Sequence, residues 1–290
     1  MLLEGSILAA VGSMLFWGFG DFFIQRETRR VGNLESLAFI SIIGSLGLFP
    51  FVIPELPLLF TLQNVLLLFF ISMVGFVVAM LDFEALREGK LSVVEVILEI
   101  ELPITAMLGY LFFGETLSFI QLATVFLIFA GIIMISVESF SGDRRSKKRL
   151  EKGVLLAVFT AVGMGLANFL TAFGSKQVSP LMVTWMPWLV ISIISLFFVH
   201  RREGFGSMLK NASRFRRLIL VTGVFDTLGW LLYAVALVNN ELAITTAITE
   251  SYPAIGVLLG VWLNKEEILP HQYAGAALAL AASVALALIV

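Results

Sequence analysis

A chain of 290 residues that is 59% apolar, only 14% charged and −2 in net charge is not an ordinary aqueous globule, because soluble domains carry about 25% charged residues. The absence of cysteine removes disulfides, thiolate metal sites and cysteine nucleophiles. The histidines, His200 and His271, form no His-Glu-x2-His arrangement, so zinc-hydrolase chemistry has no ligand set here.

A helix needs about 20 apolar residues to cross about 30 Å of hydrocarbon. Ten runs qualify, at roughly 5–25, 34–53, 63–83, 91–112, 117–137, 153–173, 181–199, 218–238, 242–263 and 268–290. They are too long and too poorly alternating for barrel strands, and a helix satisfies its own backbone. The first run has no basic segment before it and no A-x-A site after it, so it reads as a retained span rather than a signal peptide. It carries Trp17 and Asp21, four apart on one helix face. The second run is featureless, and the third ends near Asp82.

The fourth run holds three acids and a proline: Glu95, Glu99, Glu101 and Pro103. Glu95 and Glu99 share a face, while Glu101 is turned about 200° from Glu99. Glu99 is therefore the favoured member, and Glu101 and Asp82 read as structural. Pro103 removes an amide donor and clashes with the carbonyl one turn back, which marks a hinge. Glu115 precedes the fifth run at a helix end, where a structural role is expected. Residues 139–152 are polar and basic and read as a cytoplasmic linker that divides the chain almost in half.

The sixth run contains Asn168. Trp185 and Trp188 lie near the outer end of the seventh, as membrane-interface anchors do. In the eighth, Asp226 shares a face with Trp230 and Tyr233. The ninth carries Glu250 and a second proline hinge, Pro253, and Glu266 follows it at a helix end. The last run is Ala-rich and offers a surface for a homodimer, although ten spans suffice to enclose a pathway in a monomer.

Charge orients these runs. Eighteen of the 19 Lys and Arg residues fall in the gaps after runs one, three, five, seven and nine; Lys176 is the exception. Loops rich in Lys and Arg stay cytoplasmic, so both termini are expected outside.

The halves resemble one another. A shift of 151 residues aligns Glu99 with Glu250, Gly109 with Gly260, Glu115 with Glu266 and Gln121 with Gln272; a shift of 147 aligns Asp21 with Asn168. With five spans in each half, the two must insert in opposite senses. The expectation is an all-α membrane protein of ten transmembrane helices, built as two inverted five-helix repeats over 1–138 and 153–290. Such repeats recur in secondary transporters.

The proline, the small residues after it, the helix-end Glu and the following Gln carry a family resemblance. They read Pro103-Ile-Thr-Ala-Met-Leu-Gly-Tyr-Leu-Phe-Phe-Gly-Glu115 with Gln121, and again Pro253-Ala-Ile-Gly-Val-Leu-Leu-Gly-Val-Trp-Leu-Asn-Lys-Glu266 with Gln272. Together with Trp17-Gly18, this resembles the EamA-type branch of the drug/metabolite transporter superfamily. There are departures: the Pro-to-Glu spacing differs by one residue between halves, and Thr124 stands where Gly275 stands in the second. The resemblance implies the ten-span fold and a transport role, with no enzymatic activity, and leaves the solute open.

No Lys or Arg lies deep in a run, but acids do. An Asp at a helix centre costs about 2.5–3.5 kcal/mol on insertion scales, so a central wet cavity is expected to hold them. Carboxyls beside aromatic rings suit a cationic or amphipathic solute. The expected substrate-binding set is Trp17, Asp21, Glu95, Glu99, Asn168, Asp226, Trp230, Tyr233 and Glu250. The expected function is a multi-pass cell-membrane permease or exporter of a small polar or cationic metabolite. It would work by alternating access in the lipid bilayer, with protons as the candidate coupling ion, and with no cofactor, metal or nucleic acid. No Gly-x4-Gly-Lys-Ser/Thr loop points to ATP. Two other classes remain: a passive channel or lipid-handling protein, and an intramembrane aspartyl protease. Gly18-Phe-Gly-Asp21 matches the protease tetrad, but the expected Tyr-Asp partner is absent, since Asp82 follows Leu81 and Asp226 follows Phe225. On the expected topology, single cysteines replacing Ser146 and Leu58 react with an impermeant maleimide from opposite sides of the membrane.

Overall fold

In hydrocarbon, a backbone N–H or C=O without an internal partner costs several kcal/mol, so apolar runs of this length become helices. A computed structural model describes residues 2–115, 118–136, 144–202, 204–238, 242–250, 252–267 and 269–289. Every regular element among them is helical. The first half contains α1 (Leu2–Val31), α2 (Asn33–Val52), a 3-10 stretch over Ile53–Phe60, α3 (Leu62–Glu88), α4 (Leu91–Leu98), α5 (Glu101–Leu108), a π turn over Gly109–Phe113 and α6 (Phe119–Ser136). The second contains α7 (Arg144–Gln177), α8 (Pro180–Arg202), α9 (Phe205–Arg214), α10 (Arg216–Ala236), α11 (Leu242–Thr249), α12 (Pro253–Trp262) and α13 (Pro270–Ile289).

Six helical stretches among the described residues are long and apolar enough to cross a membrane: Gly5–Val31, Asn33–Phe60, Leu62–Glu88, Lys152–Gln177, Pro180–Arg202 and Arg216–Ala236. The runs at 117–137 and 268–290 correspond to α6 and α13. The runs at 91–112 and 242–263 are not single helices; each is a pair, α4 with α5 and α11 with α12. Pro103 explains the first break. It has no N–H to offer the Glu99 carbonyl, and the helix parts at Glu99 and Ile100, one turn before it. There the chain tightens to i→i+3 bonds, Ile100 N–H to Ile97 O at 3.2 Å and Leu102 N–H to Glu99 O at 3.2 Å. Pro253 is the first residue of α12, where its missing donor is least costly. Of the linker at 139–152, residues 139–143 lie outside the described residues. From Arg144 onward the segment is helical, forming the first turns of α7.

The halves interlock. α1 packs against α10, α11 and α12, and α7 packs against α3, α4 and α5. α2 lies along α8, and α6 along α13. The central core includes Leu37, Ile40, Leu68, Leu86, Ile97, Leu102, Met182 and Ile191. Large apolar side chains such as Leu46, Phe70, Phe112, Phe126, Phe159 and Leu220 point outward.

The basic gaps gather at one end. Arg29 Nη2 donates to Gly89 O at 2.6 Å, and Lys90 Nζ to Glu267 O at 2.8 Å. Lys152 pairs with Glu84, which also holds Arg87 at 3.0 Å. Asn211 Nδ2 donates to Glu35 Oε2 at 2.7 Å. At the other end Ser179 donates to Glu55, and Lys176 lies 4.6 Å from the Phe113 ring centre.

At the basic end α7 and the turn after α3 touch backbone to backbone. A β-carbon added to Gly153 would stand 2.7 Å from Gly89 Cα. Gly153→Val therefore forces the crossing apart. It is expected to destabilise the protein by about 1–3 kcal/mol, read as an earlier loss of the monodisperse peak on heating in detergent.

Candidate functional site: an acidic cavity between the halves

Helices from both halves meet around a cavity of about 100 Å³, room for several waters or a small solute. α1 contributes Trp17 and Asp21, α3 Asp82 and α5 Glu101. α7 contributes Asn168 and Thr171, α8 Thr184 and Trp188, and α10 Asp226 and Trp230. Tyr252 closes the ring just before α12. Local periodicity explains the aim of these groups. Trp17 and Asp21 are one turn apart, as are Asp226 and Trp230, and α1 packs along α10.

The aromatic part is built on Trp17. Its ring centre lies 5.0 Å from that of Trp230 at 71°, and 5.9 Å from Tyr252 at 67°. Gly229 admits the indole: a β-carbon there would stand 2.5 Å from Trp17 Cδ1. Edge-to-face packing of this kind holds ring faces in fixed directions.

Among the described residues four carboxyls line the cavity, those of Asp21, Asp82, Glu101 and Asp226, and no Lys, Arg or His does. Asp21 lies within electrostatic reach of the other three. Asp82 Oδ1, Asp226 Oδ2 and Trp188 Nε1 are buried without a hydrogen-bond partner among the described residues. Unsatisfied polar atoms of this kind are uncommon in native folds and mark a place for an exogenous donor or acceptor. When ionised, these carboxylates only accept, so they then call for a donor, best a cationic one.

Of the sequence-expected residues, the cavity gathers Trp17, Asp21, Asn168, Asp226 and Trp230. Glu95, Glu99, Tyr233 and Glu250 are fully buried and are not among its lining residues. Glu95 is wedged between α4 and α12, where a β-carbon on Gly256 would stand 2.8 Å from its Oε1. The Tyr233 hydroxyl is 2.7 Å from Thr246 Oγ1. Glu99 and Glu250 sit at the two helix breaks beside Pro103 and Pro253. Glu250 lies beside Glu101, and Asn168, whose Nδ2 is buried without a hydrogen-bond partner among the described residues, lies close by. Glu101 therefore connects the cavity to the buried pair at the breaks. Sequence reasoning assigned Glu101 and Asp82 structural roles, gave Trp188 to the membrane interface and did not single out Tyr252. A signal existed for Tyr252: the shift of 151 that pairs Glu99 with Glu250 also pairs Glu101 with Tyr252.

The helix-end acids of the repeated motif clasp the opposite half. Glu115 accepts from the N–H groups of Leu242 (2.8 Å) and Ala243 (3.1 Å), the first residues of α11. Glu266 accepts from the N–H groups of Leu91 (3.0 Å) and Ser92 (2.9 Å), the first residues of α4, and from Ser92 Oγ at 2.7 Å. A carboxylate there satisfies orphan amides and favours the positive end of the helix dipole. Gln121 and Gln272 cap their own helices, accepting from Ser118 N–H at 2.5 Å and Leu269 N–H at 2.8 Å. Among the described residues, no group of three His, Cys, Asp or Glu could hold a metal ion.

The family model described as the EamA-like transporter family matches residues 5–137 and, separately, 151–288. The chain belongs to the EamA-like transporter family. Membership, with the apolar helices, makes it a multi-pass membrane protein of the drug/metabolite transporter type. An uncharacterized protein of Methanocaldococcus jannaschii is 28% identical over 138 residues, which is 47% of this EamA-like chain and the whole of that protein. A protein known from its crystal structure superposes with a TM-score of 0.71 at 14% identity, covering 99% of this chain and 97% of that one. At that identity the likeness speaks for the fold alone.

Glu266 accepts two bonds more than Glu115, from Ser92 Oγ and from Asn264 Nδ2 at 3.3 Å, and the removal of the two acids should differ accordingly. Glu115→Ala strips two amides of their acceptor and is expected to cost about 1–2 kcal/mol. Glu266→Ala also strands Ser92 Oγ and is expected to cost more. Thermal denaturation of both variants, followed side by side in one detergent, checks the order.

Proposed function

We propose that this chain is a secondary transporter that moves a small organic cation by alternating access between two inverted five-helix repeats. The observation that carries this reading is the cavity: four carboxyls and an aromatic wall, drawn from both halves, with no lining base among the described residues. A cation carrying N–H groups satisfies Asp82 and Asp226 by hydrogen bonding and relieves the mutual repulsion of the acids. The faces of Trp17 and Trp230 attract it further.

Three features support the alternating mechanism. The family model matches each half separately. Each half's second broken-helix partner ends in a Glu that clasps the other half, so opening either end means releasing one clasp while the other holds. The packing of α1 on α10, α11 and α12 has its counterpart in α7 on α3, α4 and α5. On this reading the ten predicted runs are ten spans, the broken pairs counting as one each, and the basic end faces the cytoplasm.

Protons are the coupling ion this geometry suits. Two carboxyls within hydrogen-bonding reach can share a proton, as Glu101 and Glu250 are placed to do. A cation that engages Glu101 from the cavity competes for that carboxyl, so cargo and proton exclude one another. Transport then follows from a proton gradient applied in the opposite direction.

Flux into proteoliposomes under an imposed pH gradient tests the reading, with a panel of amines, quaternary ammonium ions, neutral solutes and carboxylates. Saturable transport is expected for cations only. Asp21→Asn and Asp226→Asn, checked for monodispersity, should lower cation flux at least on the order of tenfold, the cost of losing one charge-assisted contact. Glu101→Gln should also uncouple the remaining flux from pH. Cation flux unchanged in all three variants sinks the cavity assignment, and flux that neither saturates nor follows any gradient identifies a channel instead.

A further inference from the structure

The sequence between α8 and α10 reads as a basic loop, but the structure places α9 (Phe205–Arg214) there. α8 ends at Arg202 and α10 begins at Arg216, so both ends of α9 are held at the basic end of the bundle. Residues 205, 208, 209 and 212 fall on one side of a 3.6-residue helix. That side is divided between two environments. Met208 is buried with Val199 and Ile219, and Ala212 is half-buried against the same cluster. Phe205 and Leu209 turn the other way, 44% and 70% exposed. Around them stand Arg201, Arg202, Lys210, Arg214, Arg216 and Arg217, all exposed and in no ion pair with another described residue.

Exposed bulky apolar groups beside unpaired bases have one natural neighbour at this position. A helix strung between two spans lies at the level where hydrocarbon gives way to headgroups. The acyl boundary accepts Phe205 and Leu209, and phosphates accept the bases. A soluble anion would account for the bases but not for the exposed leucine. An apolar protein partner would account for the leucine but not for six cations.

We propose that α9 is an interfacial helix that binds anionic phospholipid headgroups of the leaflet at the basic end. Leu209 and Phe205 enter the acyl boundary, and Lys210, Arg214, Arg216 and Arg217 engage the phosphates. The site is independent of the acidic cavity and of whatever solute the cavity takes.

The chain has no cysteine, so Leu209→Cys in the full-length protein takes a single environment-sensitive fluorophore. In nanodiscs of phosphatidylcholine, with and without phosphatidylglycerol, lipid-borne quenchers should quench it, more strongly when phosphatidylglycerol is present. Salt should erase that difference. Lipid retained by the otherwise unaltered protein through detergent washing should be enriched in phosphatidylglycerol. Lys210→Gln with Arg214→Gln should lower that enrichment by about 25-fold, each base near the surface contributing about a factor of five. No quenching in either lipid places α9 in water and overturns the proposal. Equal quenching and equal retention of both lipids overturns the anionic preference. Inorganic phosphate that shifts the fluorophore in phosphatidylcholine discs, and strips phosphatidylglycerol from the protein, assigns the bases to a soluble anion instead. The retention measurement on the unaltered protein decides the matter even if the glutamine pair fails to fold.

Discussion

The first amides of any helix have no acceptor within that helix, and here the leading amides of α4 and α11 find one only across the join between the halves. Two carboxylates supply it, each reaching from the other half of the molecule. These clasps fix the outer ends of the two broken pairs, and the breaks within the pairs shape the cavity. Without the breaks at Glu99 and Glu250, α4 with α5 and α11 with α12 would be continuous rods. Glu101 and Tyr252 stand at the restart points and line the cavity.

The acids inside the bundle form a graded series. Asp21, Asp82, Glu101 and Asp226 face the cavity, where a bound cation or water can compensate them. Glu250 lies one contact behind Glu101, and Glu95 is packed against α12 within electrostatic reach of Asp21 and Asp82. A buried carboxylate without a base is tolerated only if it is solvated, protonated or ligand-bound. The structure thus separates carboxyls that line the cavity from carboxyls sealed in helix packing. Glu101 links Glu250 to the cavity, while Glu95 reaches the fields of Asp21 and Asp82 directly.

Much of this was legible before any coordinates. Apolar run length locates the helices, because hydrocarbon thickness fixes how long a span must be. Segregated bases anticipated the common end where Arg29, Arg87, Lys90 and Lys152 converge. Trp17, Asp21, Asp226 and Trp230 were readable because one turn separates each pair and both pairs lie on helices that pack together. The errors have equally specific causes. Helix periodicity favoured Glu99 over Glu101, but that periodicity stops at the break, so the angle computed across it does not apply. Trp188 looked like an interface anchor from its place near a span end, yet it is buried against Gly44. A basic stretch gives no sign of helix unless its apolar residues are plotted on a wheel, which is why α9 was missed.

The reciprocal capping also bears on how the chain matures. Ribosomes deliver the N-terminal half first, with Glu115 facing no α11 and the leading amides of α4 facing no Glu266. Each half is therefore synthesised with one hydrogen-bonding debt and one surplus acceptor, and both are cancelled only when the other half inserts beside it. The hydrogen bonds of both clasps can form only once the two halves lie side by side.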